Sequence, residues 1–436
     1  HVYVQQPDER APGFNAWFGT EYDRNNVWFE QMDQFLTYIK RCNYLLRQGS
    51  YVADVAYFIG EDAPKMDGIR DPELPRGYQY DYINAEGLVR DAFVKDGKLT
   101  LPHGMSYRVL VLPKIETMRP AMIDKLKKLI ADGAIVIGPA PKRSPSLENQ
   151  PRSDEHISRT AAEIWGNVDG VKVKSGRYGK GFIYDGVELS DVLSQINCVA
   201  DCYIPESVPL AYTHQADNGI DIYYIANPGD ERITTDISFR VKCKQPELWT
   251  PTTGSIRNLP AFTQKDGTTV VPVTVVRGES FFIVFLNPGK PEGSAIEKNF
   301  PDPVDVSVAK EPWQVSFTSK VKQPGPIVLN KLIDLSTHST DNVKYFSGKA
   351  TYTTTIDGMK PAKEERILLN LGKVSSMAKV KVNGMYAGGV WTYPFNVDVT
   401  KYIKKGKNKI EIEVVNRWVN RIIGDLNLPE NERDID

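Results

Sequence analysis

Lys379-Val380-Lys381-Val382 alternates charged with β-branched residues, and the Asn383-Gly384 pair behind it accepts the positive φ angles of a tight turn. A second alternation follows, in which Phe395, Val397 and Val399 are separated by Asn396 and Asp398. Lys405-Gly406-Lys407-Asn408 makes the next turn, after which Ile410, Ile412 and Val414 alternate with Glu411 and Glu413. Each segment has a period of two and one apolar face, so the set is buried only by packing sheet against sheet. The expectation for this end of the chain is an antiparallel β-sandwich.

Upstream, the pattern changes twice. Val52 to Ile59 is almost continuously apolar, as is a strand covered on both faces, and Tyr107 to Leu112 and Ala134 to Gly138 have the same character. Pro120 to Ala131 between them is an amphipathic helix that stops at Gly133. These segments predict a parallel α/β unit of flavodoxin-like type, with functional groups at the carboxyl ends of its strands. Those ends carry Gly60-Glu61-Asp62, Pro113-Lys114 and Gly138 to Arg143. From Pro205 to Pro288 the chain reads as short strands (Ile220 to Ala226, Ile233 to Val241, Val270 to Val276, Phe281 to Leu286) between Gly, Pro and Asp turns.

Near the start, Trp28, Met32, Phe35, Ile39, Cys42 and Leu46 recur at helical spacing. They predict one helix from about Asp23 to Gln48, with Asp23 and Gly49 as its caps. A stripe that long requires a large neighbour, and little sequence precedes it. The expected division is therefore residues 1–49, 50–204, 205–290 and 291–436.

The 436 residues are 41% hydrophobic and 25% charged, with a formal net charge of −1. That balance gives no electrostatic reason to expect nucleic acid or an anionic membrane as partner, and no apolar run reaches the ~20 residues of a membrane span. No basic and apolar leader is present to read at His1, so the compartment stays open. Cys42, Cys198, Cys202 and Cys243 have no metal-ligand spacing; Cys198 and Cys202 suit one helix face, and free buried thiols are expected. The five histidines are scattered, and no metal site or cofactor is predicted for this chain.

A family resemblance rests on several spaced motifs. Leu369 to Gly372, Val380 to Gly384, Trp391 to Phe395, Gly406-Lys407-Asn408 and Asn416 to Asp425 resemble the galactose-binding-like jelly-roll module of family 2 and family 106 glycoside hydrolases. Arg41 to Gly49, Val52 to Pro64 and Gly77 to Glu86 are similar to the C-terminal part of family 106, the α-L-rhamnosidases. Pro246 to Gly254 resembles a turn in the small β-domain behind the catalytic barrel of several glycosidases. The resemblance implies a (β/α)₈ catalytic barrel upstream, of which residues 1–49 are the end, a carbohydrate substrate, and an inverting pair of carboxylic acids with a calcium ion in the parent enzyme. It also implies a periplasmic or secreted bacterial parent. No catalytic residue of the family maps onto this chain.

Candidate substrate-binding residues follow from chemistry that sugars require. Glu61 and Asp62 after a buried strand, and Asp81 and Glu86 among aromatics and Asn84, are carboxylates that suit sugar hydroxyls, or else cap helices, brace turns or face solvent. Trp17 offers a ring to cover a sugar face. Tyr80, alternating with Tyr78 and Tyr82, marks a sugar-stacking platform or else an exposed strand face; Trp391 and Tyr393 stack on a sugar or else pack against the next domain. Two readings stay open: the accessory half of a glycoside hydrolase, and a non-catalytic carbohydrate-binding protein centred on Trp391 and Tyr393.

Overall fold

The computed structural model describes residues 2–3, 20–22, 24–61, 70–288, 298–306, 309, 312–362 and 365–435. It is a mixed α/β and β protein. Val2–Tyr3 and Thr20–Glu21 pair in parallel as a two-stranded sheet. A 3₁₀ turn at Phe29–Gln31 leads into helix α1, Met32–Leu46. The helix therefore starts later than its apolar spacing predicts. The Trp28 ring packs edge-on against Tyr22 at 6.1 Å, and Trp418 Nε1 donates to the carbonyl of Asn25 at 2.8 Å, so tertiary contacts hold this segment out of the helix. Asp23, the expected cap, lies outside the described residues.

The buried face of α1 also differs from the expected stripe. Tyr38, Cys42, Leu45 and Leu46 pack on Ile222, Phe282 and Val284 of the downstream β unit. Tyr38 Oη lies 2.8 Å from both Tyr224 Oη and Ser280 Oγ. Ile39, placed in the stripe by its spacing, is 36% exposed, beside Leu36 at 43% and Phe29 at 38%. The helix thus has two apolar faces, one buried and one open among the described residues.

Ser50–Tyr51 then pairs antiparallel with Gln215 and Ala216 of the β unit. Gly49 makes this close approach: its φ is +63°, and a Cβ there would fall 2.0 Å from the Ala216 carbonyl oxygen. Five parallel strands follow: Val55–Phe58, Tyr80–Ile83, Val109–Val111, Ile135–Ile137 and Gly181–Tyr184. Numbered by their place in the chain, they lie in the order 2-1-3-4-5, with Ser175–Tyr178 antiparallel on the far edge. Between them run α2, Pro120–Asp132, and α3, Arg152–Trp165, with α4, Leu189–Gln195, after the last strand. The first strand shows why its sequence is apolar throughout. Ala56 and Phe58 face Met122, Leu126 and Ile157 of α2 and α3, while Val55 and Tyr57 face Leu189, Val192 and Leu193 of α4. Gly133 (φ +124°) ends α2 by donating to Ile130 and Leu129, as its position predicts.

The β unit has two layers. Cys202–Tyr203, Ile233–Phe239, Thr268–Val275 and Thr263–Lys265 form one sheet; Ser255–Asn258, Lys244–Thr250, Ser280–Pro288, Ile220–Ala226, Ala211–Asp217 and Ser50–Tyr51 form the other. Tyr223, Phe239, Val271, Val273 and Phe285 fill the space between them. All four cysteines are free, three of them buried, and Cys243 is exposed. Cys198 and Cys202 do not share a helix, because α4 ends at Gln195 and Cys202 enters a strand.

In the C-terminal sandwich the six-stranded sheet runs Ile327–Leu329, Trp313–Thr318, Lys349–Gly358, Gly406–Val415, Met377–Val382 and Met385–Val390. Leu368–Asn370 and Asn396–Asp398 pair opposite it. Val380, Val382, Val397 and Ile410 meet in the core, as their alternation dictates. Two short helices, α5 (Asp341–Lys344) and α6 (Val419–Asp425), close its end. Arg421 and Asp425 of α6 form a buried ion pair at 2.7 Å. No helix among the described residues is long and apolar enough to cross a membrane.

Candidate functional site

Four of the parallel strands end in loops that meet around one cleft of about 390 Å³. Its walls are Gly60 and Glu61 after the first strand, Asn84, Ala85 and Glu86 after the second, Arg119 at the entry to α2, and Pro145 and Ser146 after the fourth. The position agrees with the rule that ligands of open parallel sheets lie outside the carboxyl ends of the strands.

Glu61 is held at its base. Its side chain is 4% exposed; Oε1 accepts from Arg119 Nε at 2.5 Å, and Oε2 accepts from the Arg119 backbone N–H at 2.8 Å. Glu61 therefore caps α2 from a distance and fixes Arg119, whose side chain is 52% exposed and lines the cleft. No described group bonds the two terminal nitrogens of Arg119. Asn84 Oδ1 accepts from Gly87 N–H at 2.8 Å, leaving its amide hydrogens available, and Ser146 Oγ accepts from Glu148 N–H at 3.0 Å, leaving its hydroxyl hydrogen available. Glu86 is 70% exposed and pairs with Arg90 at 2.5 Å.

The other predicted residues are dispersed. Asp81 Oδ2 accepts from the Tyr107 hydroxyl at 3.1 Å, which braces two strands. Tyr80, its neighbour, points to the opposite face, 5.7 Å from Tyr57 and 5.2 Å from Tyr82, with the Arg70 guanidinium 5.0 Å over its ring. Trp391 packs between Phe35 and Tyr38 of α1 at 4.9 and 5.1 Å. Tyr393 lies 4.3 Å from Phe395, with Arg277 of the β unit 5.1 Å over its ring. Trp17 and Asp62 lie outside the described residues. Among the described candidates, only Glu61 and Glu86 thus share a cleft, and Trp391 and Tyr393 pack against neighbouring elements.

Arg119 and Asn84 were not singled out from the sequence. An arginine directly before Pro120, where a helix start usually carries Ser, Thr, Asn or Asp, was the available sign. Chemically the cleft presents the Arg119 guanidinium, the Asn84 amide and the Ser146 hydroxyl. A general acid for glycoside hydrolysis requires a raised carboxyl pKa. Glu279 has one, through burial partly offset by the Val276 N–H and Arg257, but it sits on a turn of the β unit and does not line the cleft.

Comparison with known proteins agrees with this architecture. A curated relative from Formosa agariphila, provisionally named a beta-glucuronidase, is 36% identical over 302 residues, which is 68% of this chain and 24% of the relative. The solved rhamnosidase of Novosphingobium sp. PP1Y superposes on 97% of this chain with a TM-score of 0.85 and 31% identity, over 40% of its own length. The chain thus spans well under half of either protein. Residues 329–423 match the galactose-binding-like domain of glycosyl hydrolase family 2. The family described as alpha-L-rhamnosidase matches residues 1–264, more than half of the chain, which therefore belongs to glycoside hydrolase family 106.

Proposed function

We propose that this chain is the C-terminal, accessory part of an α-L-rhamnosidase that removes terminal deoxysugars from complex polysaccharides. In this reading a catalytic (β/α)₈ barrel precedes it, and residues 1–49 are the barrel's last strands and helix. The observation that carries the reading is the superposition of 97% of the chain on a rhamnosidase at 31% identity. Leu36 and Ile39 on α1, with Phe29 in the 3₁₀ turn before it, are exposed apolar side chains, as on a helix that packs against a barrel. The strand order 2-1-3-4-5 supports a flavodoxin-like type for residues 50–204, and separate cores support a division from the β unit and from the terminal sandwich, with Asn299 and Phe300 still packed on the β unit.

The two carboxylic acids lie in the barrel, about 6.5–9.5 Å apart so that a water attacks with inversion. In this reading calcium lies beside them in the parent enzyme. The role left to this chain is to hold the barrel and bind glycan, with the cleft around Arg119 as the binding surface. The binding-protein reading centred on Trp391 and Tyr393 is weaker, because both rings are engaged by Phe35, Tyr38, Phe395 and Arg277.

The test is hydrolysis of p-nitrophenyl α-L-rhamnopyranoside by the native polypeptide purified from its own cells, followed by proton NMR of the anomeric hydrogen. Release of rhamnose with inverted configuration is expected. Folded native protein that leaves the substrate intact contradicts the proposal.

A further inference from the structure

The groups that reach the cleft are unbalanced. The Glu61 carboxylate is almost wholly buried, and both its oxygens already accept from Arg119. Its effect is to lock Arg119 through Nε and the backbone, which leaves the terminal fork of the guanidinium at the cleft wall. Asn84 adds amide hydrogens and Ser146 a hydroxyl hydrogen, while the one open carboxylate among the described lining residues, Glu86, is engaged by Arg90. The available set is therefore rich in donors. A neutral sugar presents hydroxyls that seek donors and acceptors together. A uronic acid adds a planar group that only accepts, and a guanidinium fork matches that group with two parallel hydrogen bonds. The volume of about 390 Å³ is at the size of a small-ligand site.

We infer that the cleft at the carboxyl ends of the parallel strands binds a carboxylate-bearing unit of a glycan, a uronic acid, with Arg119 as its anchor and Glu61 as the residue that positions Arg119. This inference rests on the carbohydrate reading of the cleft. It assigns the cleft to a different sugar from the neutral deoxysugar that the parent enzyme removes. The bound unit would be an acidic neighbour in the same polysaccharide.

D-Glucuronate and D-glucose differ only in carrying a carboxylate or a hydroxymethyl group at carbon 6. They are titrated into the 436-residue chain and followed by heteronuclear NMR, with sodium acetate as a third ligand. Glucuronate is expected to bind at least tenfold more tightly than glucose, and to displace the Arg119 and Asn84 side-chain signals. Arg119→Gln abolishes the discrimination. Arg119→Lys, which keeps a cation beside the buried Glu61 and so protects folding, retains only part of it, because a point charge replaces the fork. Equal binding of glucose and glucuronate overturns the inference and leaves the carbohydrate reading standing. Binding of neither sugar overturns the inference and removes the cleft from that reading as well. Acetate binding as tightly as glucuronate also overturns it, since the site would then recognise any carboxylate. Discrimination that survives Arg119→Gln overturns the role of Arg119.

Discussion

Replacing His214 with phenylalanine removes one positive charge from the buried middle of a row of six charged groups and keeps a ring stacked on Tyr223. The row joins the α/β unit to the β unit. Arg240 Nη1 lies 3.0 Å from Asp54 Oδ1, and Nη2 lies 3.3 Å from Asp201 Oδ1. His214 Nδ1 is 3.0 Å from Asp201 Oδ1, and Nε2 is 3.3 Å from Asp221 Oδ1, an ion contact without hydrogen-bond alignment. Lys244 Nζ closes the row 2.6 Å from Asp221 Oδ2. Signs alternate along it: Asp54, Asp201 and Asp221 against Arg240, Lys244 and a protonated His214. Carboxylates flank both ring nitrogens, and a neutral imidazole has only one N–H. Burial opposes the charge on His214, but its hydrogen bond to Asp201 and the adjacent Asp201 and Asp221 charges outweigh burial, and its pKa stands above the ordinary value. Burial likewise opposes ionisation of Asp221, but His214 and Lys244 outweigh it and hold the carboxyl below the usual range.

The variant leaves three carboxylates facing two cations. Loss of one partner from a buried ion pair costs about 3–5 kcal/mol, and the stacking, now at 3.8 Å and 14°, is retained by the new ring. The pH dependence has a definite sign. A folded pKa above the unfolded value of about 6.5 stabilises fully below that pH, and the stabilisation fades as pH rises through the folded pKa. The lowered pKa of Asp221 stabilises above its unfolded value of about 3.9 and is lost as pH falls through the folded one. Urea unfolding at pH 6, 7.5 and 9 should therefore show the His214→Phe penalty largest at pH 6 and shrinking toward pH 9. A loss below about 1 kcal/mol at pH 6, or a penalty independent of pH, refutes a protonated His214 in this row.

Three further outcomes follow from the domain contacts. Trp391→Ala removes the half-buried ring between Phe35 and Tyr38, and should destabilise the α1–sandwich junction by about 2–3 kcal/mol, less than the ~3–5 of a fully buried ring. Faster proteolytic release of residues 313–435 is the readout, and an unchanged rate contradicts it. Gly389→Ala places a Cβ 2.1 Å from Gln34 Oε1 and 2.5 Å from the Ala378 carbonyl oxygen, so it should lower the melting temperature; Gly325→Ala, with nothing within 4 Å, should leave it unchanged. Gly49→Ala should be more damaging, since it combines a backbone clash at 2.0 Å with a φ of +63°, and a wild-type melting temperature would contradict that.

Period-two segments were legible because a strand's own alternation records which face is buried. Met377–Val382 and Gly406–Val415 lie where Val380, Val382, Ile410 and Val414 put them, and Ile220–Ala226 keeps its predicted bounds. Helix α1 was legible as a helix but not in its start, because Asn25 and Trp28 are held by Trp418 and Tyr22 and not by local periodicity. In the cleft, Glu61 could be read from its place after a buried strand. Its partner could not, since Arg119 is 58 residues away and no local pattern couples them. Trp391 showed the same limit: an aromatic loop residue suits sugar or packing equally until Phe35 and Tyr38 are seen beside it.

The intact mass of the native protein from its own cells tests the central claim most directly. The account predicts several hundred residues before His1, enough for a catalytic barrel that covers the open face of α1. A native chain that begins at His1 would contradict it, and the carbohydrate-binding reading would take its place.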